Sequence, residues 1–298
     1  MNRIFPMVLL VLGLPITAGM AMADDVPAQV KPMSGVPPSP GSQVTMKNYR
    51  EFPMSRWSFR NAGAPLNVVM IPRQGDIRVL PGPLNPEIGA RQYTDLHGRK
   101  LGFDALFEAN FADGLVVVRG GKLLHERYFH GFNAHAQHIW FSMTKSLVSS
   151  AFGLLVERGL VDLAASPAQY IPELKNSGFA RVSIQQVLDH ATAIDFKEDY
   201  TDPAADFLRY YAPALNMAWL PGAADVQPGE TDIYGAHDFL VGFVKPDDKL
   251  KPGAAFDYNS ANADLLGWLI ARISGEPLQD FIQRAIWSRL GAEHDAYI

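Results

Sequence analysis

Apolar and polar positions change their spacing partway along the chain. Residues 114–118 (Gly114-Leu115-Val116-Val117-Val118) and 123–129 are apolar-rich runs of strand length. Between them, Arg119-Gly120-Gly121-Lys122 carries the glycines that a tight hairpin needs. No helix follows that turn directly, so its glycines serve backbone geometry and not phosphate binding. Upstream, residues 57–80 hold apolar patches such as Val68-Val69-Met70-Ile71 and are expected to be extended. From residue 142 onward the period becomes helical: Met143, Leu147 and Leu154 recur on one side, and Val148, Phe152 and Leu155 widen the apolar face. This predicts a helix over 142–158, with Gly159 where a helix end favours a left-handed residue.

Further along, Ser166-Pro167 fits a helix N-cap followed by proline in the first turn. A short helix is expected over 182–190, starting near Ser183. Residues 212–235 read as a loop with Pro213, Pro221 and Pro228; helices follow over 236–244 and 261–273. Strands followed by a mostly helical middle indicate an α+β fold. The strand count is short, because two to four strands ahead of residue 142 make a poor sheet and none is expected after residue 273. The expectation is therefore that C-terminal strands are missing from this sequence.

The N-terminus belongs to a different kind of segment. Met1-Asn2-Arg3 is a short positive region, residues 4–19 are almost wholly apolar, and Ala21-Met22-Ala23 fits a signal-peptidase site. Pro6 and Pro15 interrupt the run, which is too short to span a bilayer comfortably. An exported chain, periplasmic or secreted and cleaved after Ala23, is expected, with no stable membrane span afterwards. Residues 24–45, rich in Pro, Gly and Ser, read as a tether. Net charge is −5 and no block of five or six basic residues occurs, which argues against nucleic acid or an anionic membrane as partner. Cysteine is absent, so thiol nucleophiles, zinc–thiolate sites and iron–sulfur clusters are excluded.

Candidate chemistry starts at Ser142-Met143-Thr144-Lys145, a Ser-x-x-Lys spacing at a predicted helix start. Positions i and i+3 share a helix face about 5–6 Å apart at Cβ, so a lysine stem can bring its nitrogen to the serine hydroxyl. Unpaired N–H groups at a helix start also stabilise a developing oxyanion. A lysine ordinarily titrates at ~10.4, and making it a base at neutral pH costs about 4 kcal/mol. Burial by Trp140, Phe141 and Met143 is the expected source. Chance yields about half such a spacing in a chain of this composition, so alone it also fits an N-cap serine beside a solvated lysine. No Gly-x-Ser-x-Gly elbow occurs. His135-x-x-His138 has a metal-pair spacing but reads as surface or satisfied histidines, and His125-Glu126 as strand-face residues. Trp219 lines a pocket or anchors a loop, and the sequence does not choose.

Phe141-Ser142-Met143-Thr144-Lys145-Ser146 resembles the first motif of the serine β-lactamases, penicillin-binding proteins and related esterases. Phe256-Asp257-Tyr258-Asn259-Ser260, followed by residues 261–267, resembles their Tyr-x-Asn motif, with Ser260 in place of the usual asparagine. That variant is similar to the 6-aminohexanoate-dimer (nylon-oligomer) hydrolases and some carboxylesterases. Glu198-Asp199-Tyr200-Thr201-Asp202-Pro203 and residues 290–297 resemble further segments of the nylon-oligomer hydrolases. The resemblance runs from about Trp57 to the last residue.

The fold this implies is an α/β sandwich of the β-lactamase/transpeptidase type: an antiparallel sheet flanked by helices, plus a mostly helical domain. A single hydrolase domain would occupy 46–298, with an α/β part at 46–160, a helical part at 161–275 and a return to the α/β part beginning at 276–298. The implied activity is an amide or ester hydrolase acting on small linear substrates without metal or cofactor. By the same resemblance Ser142 is the nucleophile, Lys145 its proton acceptor and Tyr258 a proton carrier to the leaving group. Ser260 supports Lys145 or substrate, and Tyr200 lies at the substrate pocket, although Asp199-Tyr200-Thr201-Asp202-Pro203 is also good turn chemistry. The family's third motif, on a sheet strand that supplies the second oxyanion donor, would come after the segment where this sequence ends. A β-lactamase or D-alanyl-D-alanine peptidase, and a non-catalytic truncated homologue, remain as alternatives.

Overall fold

A computed structural model of the chain describes residues 30–202, 204–217 and 233–298. The expected leader at 1–23 and the residues Pro203, Trp219, Pro221 and Pro228 lie outside the described residues. Among those described, six strands form three antiparallel pairs: β1 (Met70–Ile71), β2 (Gln92–Thr94), β3 (Lys100–Gly102), β4 (Gly114–Arg119), β5 (Lys122–Tyr128) and β6 (Ala296–Tyr297), joined as β1–β6, β2–β3 and β4–β5. Helices carry most of the remaining regular structure, so the chain has an α+β fold of small antiparallel sheets and packed helices.

The β4–β5 hairpin forms where the apolar runs predict it. Gly120 and Gly121 both have positive φ, 58° and 72°, the backbone a two-residue turn of this hand requires. Leu115 and Val117 are half-buried, while Val116 and Val118 face outward at 50% and 47% exposure, the alternation of a one-sided strand. The predicted helix over 142–158 is a 3-10 turn, Phe141–Met143, running into an α-helix, Thr144–Glu157, and Gly159 follows at φ 69°. Ser166 caps a 3-10 turn at Pro167–Gln169, and Ser183 forms a capping box with Gln186 at the start of the helix Ile184–Leu188. The stretch predicted at 236–244 is an α-turn, Gly235–Asp238, continuing as a π-turn, Phe239–Phe243.

The second long helix, Ser260–Ser274, packs directly against Thr144–Glu157. Val148, Ala151, Phe152 and Leu155 from one helix and Ala261, Leu265, Leu266, Leu269 and Ile270 from the other are buried in a single contiguous apolar cluster. That cluster reaches back to Tyr49 and Ile71 and forward to Phe281 and Ala285. Large side chains such as Phe152 contribute about 1.5–3 kcal/mol each by leaving water.

Three expectations need correction. Residues 30–45 are not an extended tether: a 3-10 turn at Pro40–Ser42 folds back so that Ser42 donates to the carbonyls of Ser34 and Ser39, and Val44 packs on the core. A strand does follow residue 273, since β6 pairs with β1 and Val69 and Ile298 exchange backbone bonds of 2.8 and 3.0 Å. Two residues are too few for a period to show. Residues 278–290, for which no helix was expected, form consecutive helical segments, Leu278–Ile282, Gln283–Trp287 and Ser288–Leu290. No helix among the described residues is long and apolar enough to cross a membrane.

A buried carboxylate ties the N-terminal segment to this frame. Asp113, 7% exposed and just ahead of β4, accepts from Arg56 at 2.7 Å, Arg60 at 2.6 Å and His138 at 3.2 Å. Burial alone would raise its pKa, but the hydrogen bonds from His138, Arg60 and Arg56 win and hold the carboxyl well below the usual range. His138 is pushed above its ordinary value, chiefly by the hydrogen bond to Asp113. The Asp113 contribution to stability is complete above its unfolded pKa of ~3.9 and is lost as pH falls through the lower folded value. The His138 contribution is complete below ~6.5 and is lost as pH rises through the raised folded value. Asp113→Asn is therefore expected to lower unfolding free energy by about 3 kcal/mol, with the largest loss between about pH 4 and 6.5. Urea unfolding of both proteins across that range measures it, and a difference independent of pH would count against the pairing.

Candidate active site

Ser142 sits in the 3-10 turn that runs into the α-helix, and its position follows from the residue before it. Phe141 has φ 46°, a left-handed backbone that a bulky side chain adopts only when its surroundings impose it. Its ring meets Phe59 edge-on at 5.0 Å, and the Arg50 guanidinium lies 5.5 Å from the ring centre. Ile139 donates to the Phe59 carbonyl at 2.8 Å, so the same N-terminal stretch holds both ring and backbone. One turn on, Lys145 Nζ lies 2.9 Å from Ser142 Oγ. At that distance an ammonium donates to the oxygen, and a neutral amine can receive the hydroxyl proton.

The burial expected from Trp140, Phe141 and Met143 is not found. They are exposed by 46%, 39% and 61%, because they lie in and just ahead of the 3-10 turn and not on the core-facing side of the α-helix. Lys145 is half-buried, and its nitrogen lies over the Tyr258 ring, 5.2 Å from the centroid.

Tyr258 is placed by its neighbour. Asn259, 1% exposed, caps the Ser260–Ser274 helix: its Oδ1 accepts from Ala261 N–H at 3.1 Å while Nδ2 donates to the Phe196 carbonyl at 2.8 Å. The Tyr258 ring lies parallel to that of His190, at 5.2 Å and 5°. The structure thus brings Ser142, Lys145 and Tyr258 together from two helix starts far apart in the chain.

Ser260 and Tyr200 meet at a residue that sequence reasoning did not select. Glu198 accepts from the Ser260 hydroxyl at 2.8 Å, from the Ser260 backbone N–H and from the Tyr200 phenol. The Ser260 hydroxyl proton is committed to this carboxylate and not to Lys145. Tyr200 is 50% exposed, and its ring packs on Phe207 at 4.5 Å. Burial, then the hydrogen bond and charge of Glu198, hold its phenol well above the ordinary tyrosine range, so it stays a donor. Behind the site, Tyr211 donates to Asp264 at 2.6 Å, and burial raises the Asp264 carboxyl to about 6 against the opposing effects of that bond and of Lys145. Glu198 stands two residues before Tyr200, but Ser260 lies 62 residues away, and no local pattern links them.

The two histidines at metal-pair spacing go separate ways. His138 bonds to Asp113, while His135 faces the His294 ring at 5.3 Å. Among the described residues no group of three or more His, Asp or Glu side chains is arranged to hold a metal ion. What the arrangement offers is a hydroxyl at a helix start, an amine in contact with it, and a phenol ring against the amine. Those groups suit nucleophilic acyl transfer.

Comparison with known proteins bears on the same segments. Residues 103–297 match the family model described as Beta-lactamase. The 6-aminohexanoate-dimer hydrolase of Paenarthrobacter ureafaciens is 29% identical over 262 residues, 88% of this chain and 62% of that protein. A solved structure from Bacillus anthracis, assigned as a 6-aminohexanoate-dimer hydrolase, superposes with a TM-score of 0.73 at 27% identity, covering 87% of this chain and 65% of that one. A Bacillus subtilis (strain 168) protein assigned as the penicillin-binding protein PbpX is 21% identical over 201 residues, 64% of this chain and 43% of its own length. The chain thus spans less than two-thirds of the length of each of these relatives. With the match running from Phe103 through both helix starts to Tyr297, the chain belongs to the Beta-lactamase family.

Proposed function

We propose that the chain is a serine hydrolase that cleaves amide or ester bonds of small linear substrates through a seryl acyl-enzyme. The observation that carries this reading is the 2.9 Å approach of Lys145 Nζ to Ser142 Oγ at a helix start, with Tyr258 against the same amine. Neutral Lys145 takes the hydroxyl proton as Ser142 Oγ bonds to the substrate carbonyl carbon. The backbone N–H of Ser142 stabilises the oxyanion. Collapse breaks the bond to the amine or alcohol, which leaves with a proton delivered through Tyr258. Water then adds to the acyl-enzyme, its proton passing to the same basic groups, and the acid departs as the serine hydroxyl is restored.

A linear substrate is favoured by the likeness to a 6-aminohexanoate-dimer hydrolase over 88% of this chain. Ser260 points the same way, because its hydroxyl is occupied by Glu198 and it offers no side-chain amide to a β-lactam. On this reading Tyr200, half-exposed and held by Glu198 and Phe207, lines the substrate site. The chain acts, on this reading, after export and without metal or cofactor.

A short-chain p-nitrophenyl ester is expected to give a burst of p-nitrophenol equal to the enzyme present. Ser142→Ala should remove the burst, and Lys145→Ala should slow acylation by about 10²–10⁴-fold. A burst that persists in the serine variant takes Ser142 out of the mechanism. Glu198→Gln should move the Tyr200 phenol titration to lower pH, because the carboxylate charge is lost, and should raise KM more than it lowers kcat. Ultraviolet titration against the Glu198→Gln/Tyr200→Phe double variant isolates that phenol, and an unmoved titration would detach Tyr200 from Glu198.

A further inference from the structure

His190 has no part in the chemistry above, yet it holds the tyrosine from several directions. Its backbone is left-handed, at φ 51°, which turns its carbonyl to accept from Asp257 N–H at 2.7 Å. Its Nδ1 accepts from the backbone N–H of Asn259 at 3.1 Å and lies 3.3 Å from Asn262 Nδ2. Its ring lies flat against the Tyr258 ring at 5.2 Å and 5°, and Phe256 covers it at 5.9 Å. The residues on either side of Tyr258 are thus hydrogen-bonded to the imidazole residue on which Tyr258 itself stacks.

A backbone N–H only donates, so Nδ1 must present its lone pair, and the proton of the neutral ring belongs on Nε2. Asn262 supports the same state: its amide can donate to Nδ1, while its Oδ1 lies 3.4 Å from the Thr192 hydroxyl, which donates to it. An imidazolium would set N–H against N–H at Asn259 and leave that buried donor without an acceptor.

We propose that His190 is a positioning residue for Tyr258, fixing the phenol against Lys145 through an unprotonated Nδ1 and a stacked ring. The charged and titratable groups that act on it come from three neighbouring segments. Burial disfavours the imidazolium most, and the Lys145 charge adds to this; Glu198 and Asp257 oppose, and the balance lowers the pKa from its ordinary value. That direction favours the neutral imidazole, as the hydrogen bonds require. Its contribution to stability is complete above ~6.5 and is lost as pH falls through the lower folded value.

The kinetic consequences rest on the acyl-enzyme reading, whereas the protonation state does not, so two measurements separate them. In the whole chain, ¹⁵N NMR of the imidazoles, assigned with His190→Asn, should show an unprotonated Nδ1 and a protonated Nε2 at neutral pH. A proton on Nδ1 would overturn the proposal whether or not the chain is active. The second measurement is single-turnover acylation. His190→Phe keeps a ring but has no acceptor, while the Oδ1 of His190→Asn can stand in for Nδ1. Acylation should fall by roughly ten- to a hundred-fold in His190→Phe with KM nearly unchanged. Most of that loss should be recovered in His190→Asn. Wild-type acylation rates in both variants would refute the proposal and leave the acyl-enzyme reading standing. No acylation by the wild type would end that reading while the NMR result still decides the state of His190. Should the phenylalanine variant fail to fold, the asparagine variant and the tautomer decide it.

Discussion

The site exists because two helices pack with their starts at the same end. Thr144–Glu157 begins with the serine and lysine, Ser260–Ser274 begins just after the tyrosine, and their buried faces share one apolar cluster. Neither start has meaning alone. A Ser-x-x-Lys turn without the second helix is a polar N-terminus, and Tyr258 without the first is an aromatic ahead of a cap. Interior packing is dense enough that the helices have one way of meeting, so the distance between Lys145 and Tyr258 is inherited from Ala151, Phe152, Leu265 and Leu269. The chemistry is positioned by groups that take no part in it.

A second constraint acts from the other side of Ser142. The segment around residues 55–60 lies ahead of the family-matched region, which begins at Phe103. It nevertheless reaches the Ser142 turn through the Phe59 carbonyl and the Phe59 ring, and its two arginines hold Asp113. A left-handed Phe141 is unfavourable by itself, and that clamp offsets the strain. The N-terminal segment is thus part of how Ser142 is presented, although it carries no reacting group.

Elements with a local cause could be read from the sequence. The hairpin followed from Gly120-Gly121 between apolar runs, the helix after Ser142 from its apolar face, and its end from Gly159; each depends on side chains within a few residues. The approach of Lys145 to Ser142 could be expected because one helical turn separates them, and that of Tyr258 because its motif resembles a known one. Glu198 and His190 could not, since what defines them are partners 60 or more residues away, Ser260 for one and Asn259 for the other. β6 escaped because a strand of two residues has no period. Lys145 shows the limit from the other direction: apolar neighbours in sequence were expected to bury it, yet Trp140 and Met143 turn outward, and its surroundings come from Tyr258.

Two carboxylates stand at the start of the Ser260–Ser274 helix, each held by its own donors. Burial raises the Asp264 carboxyl to about 6 although Tyr211 donates to it, and Glu198 accepts from three donors of Ser260 and Tyr200. On the proposal above, a neutral His190 accepts from Asn259 N–H beside them. The hydrogen bonds that assemble the site thus also set the electrostatics of its carboxylates.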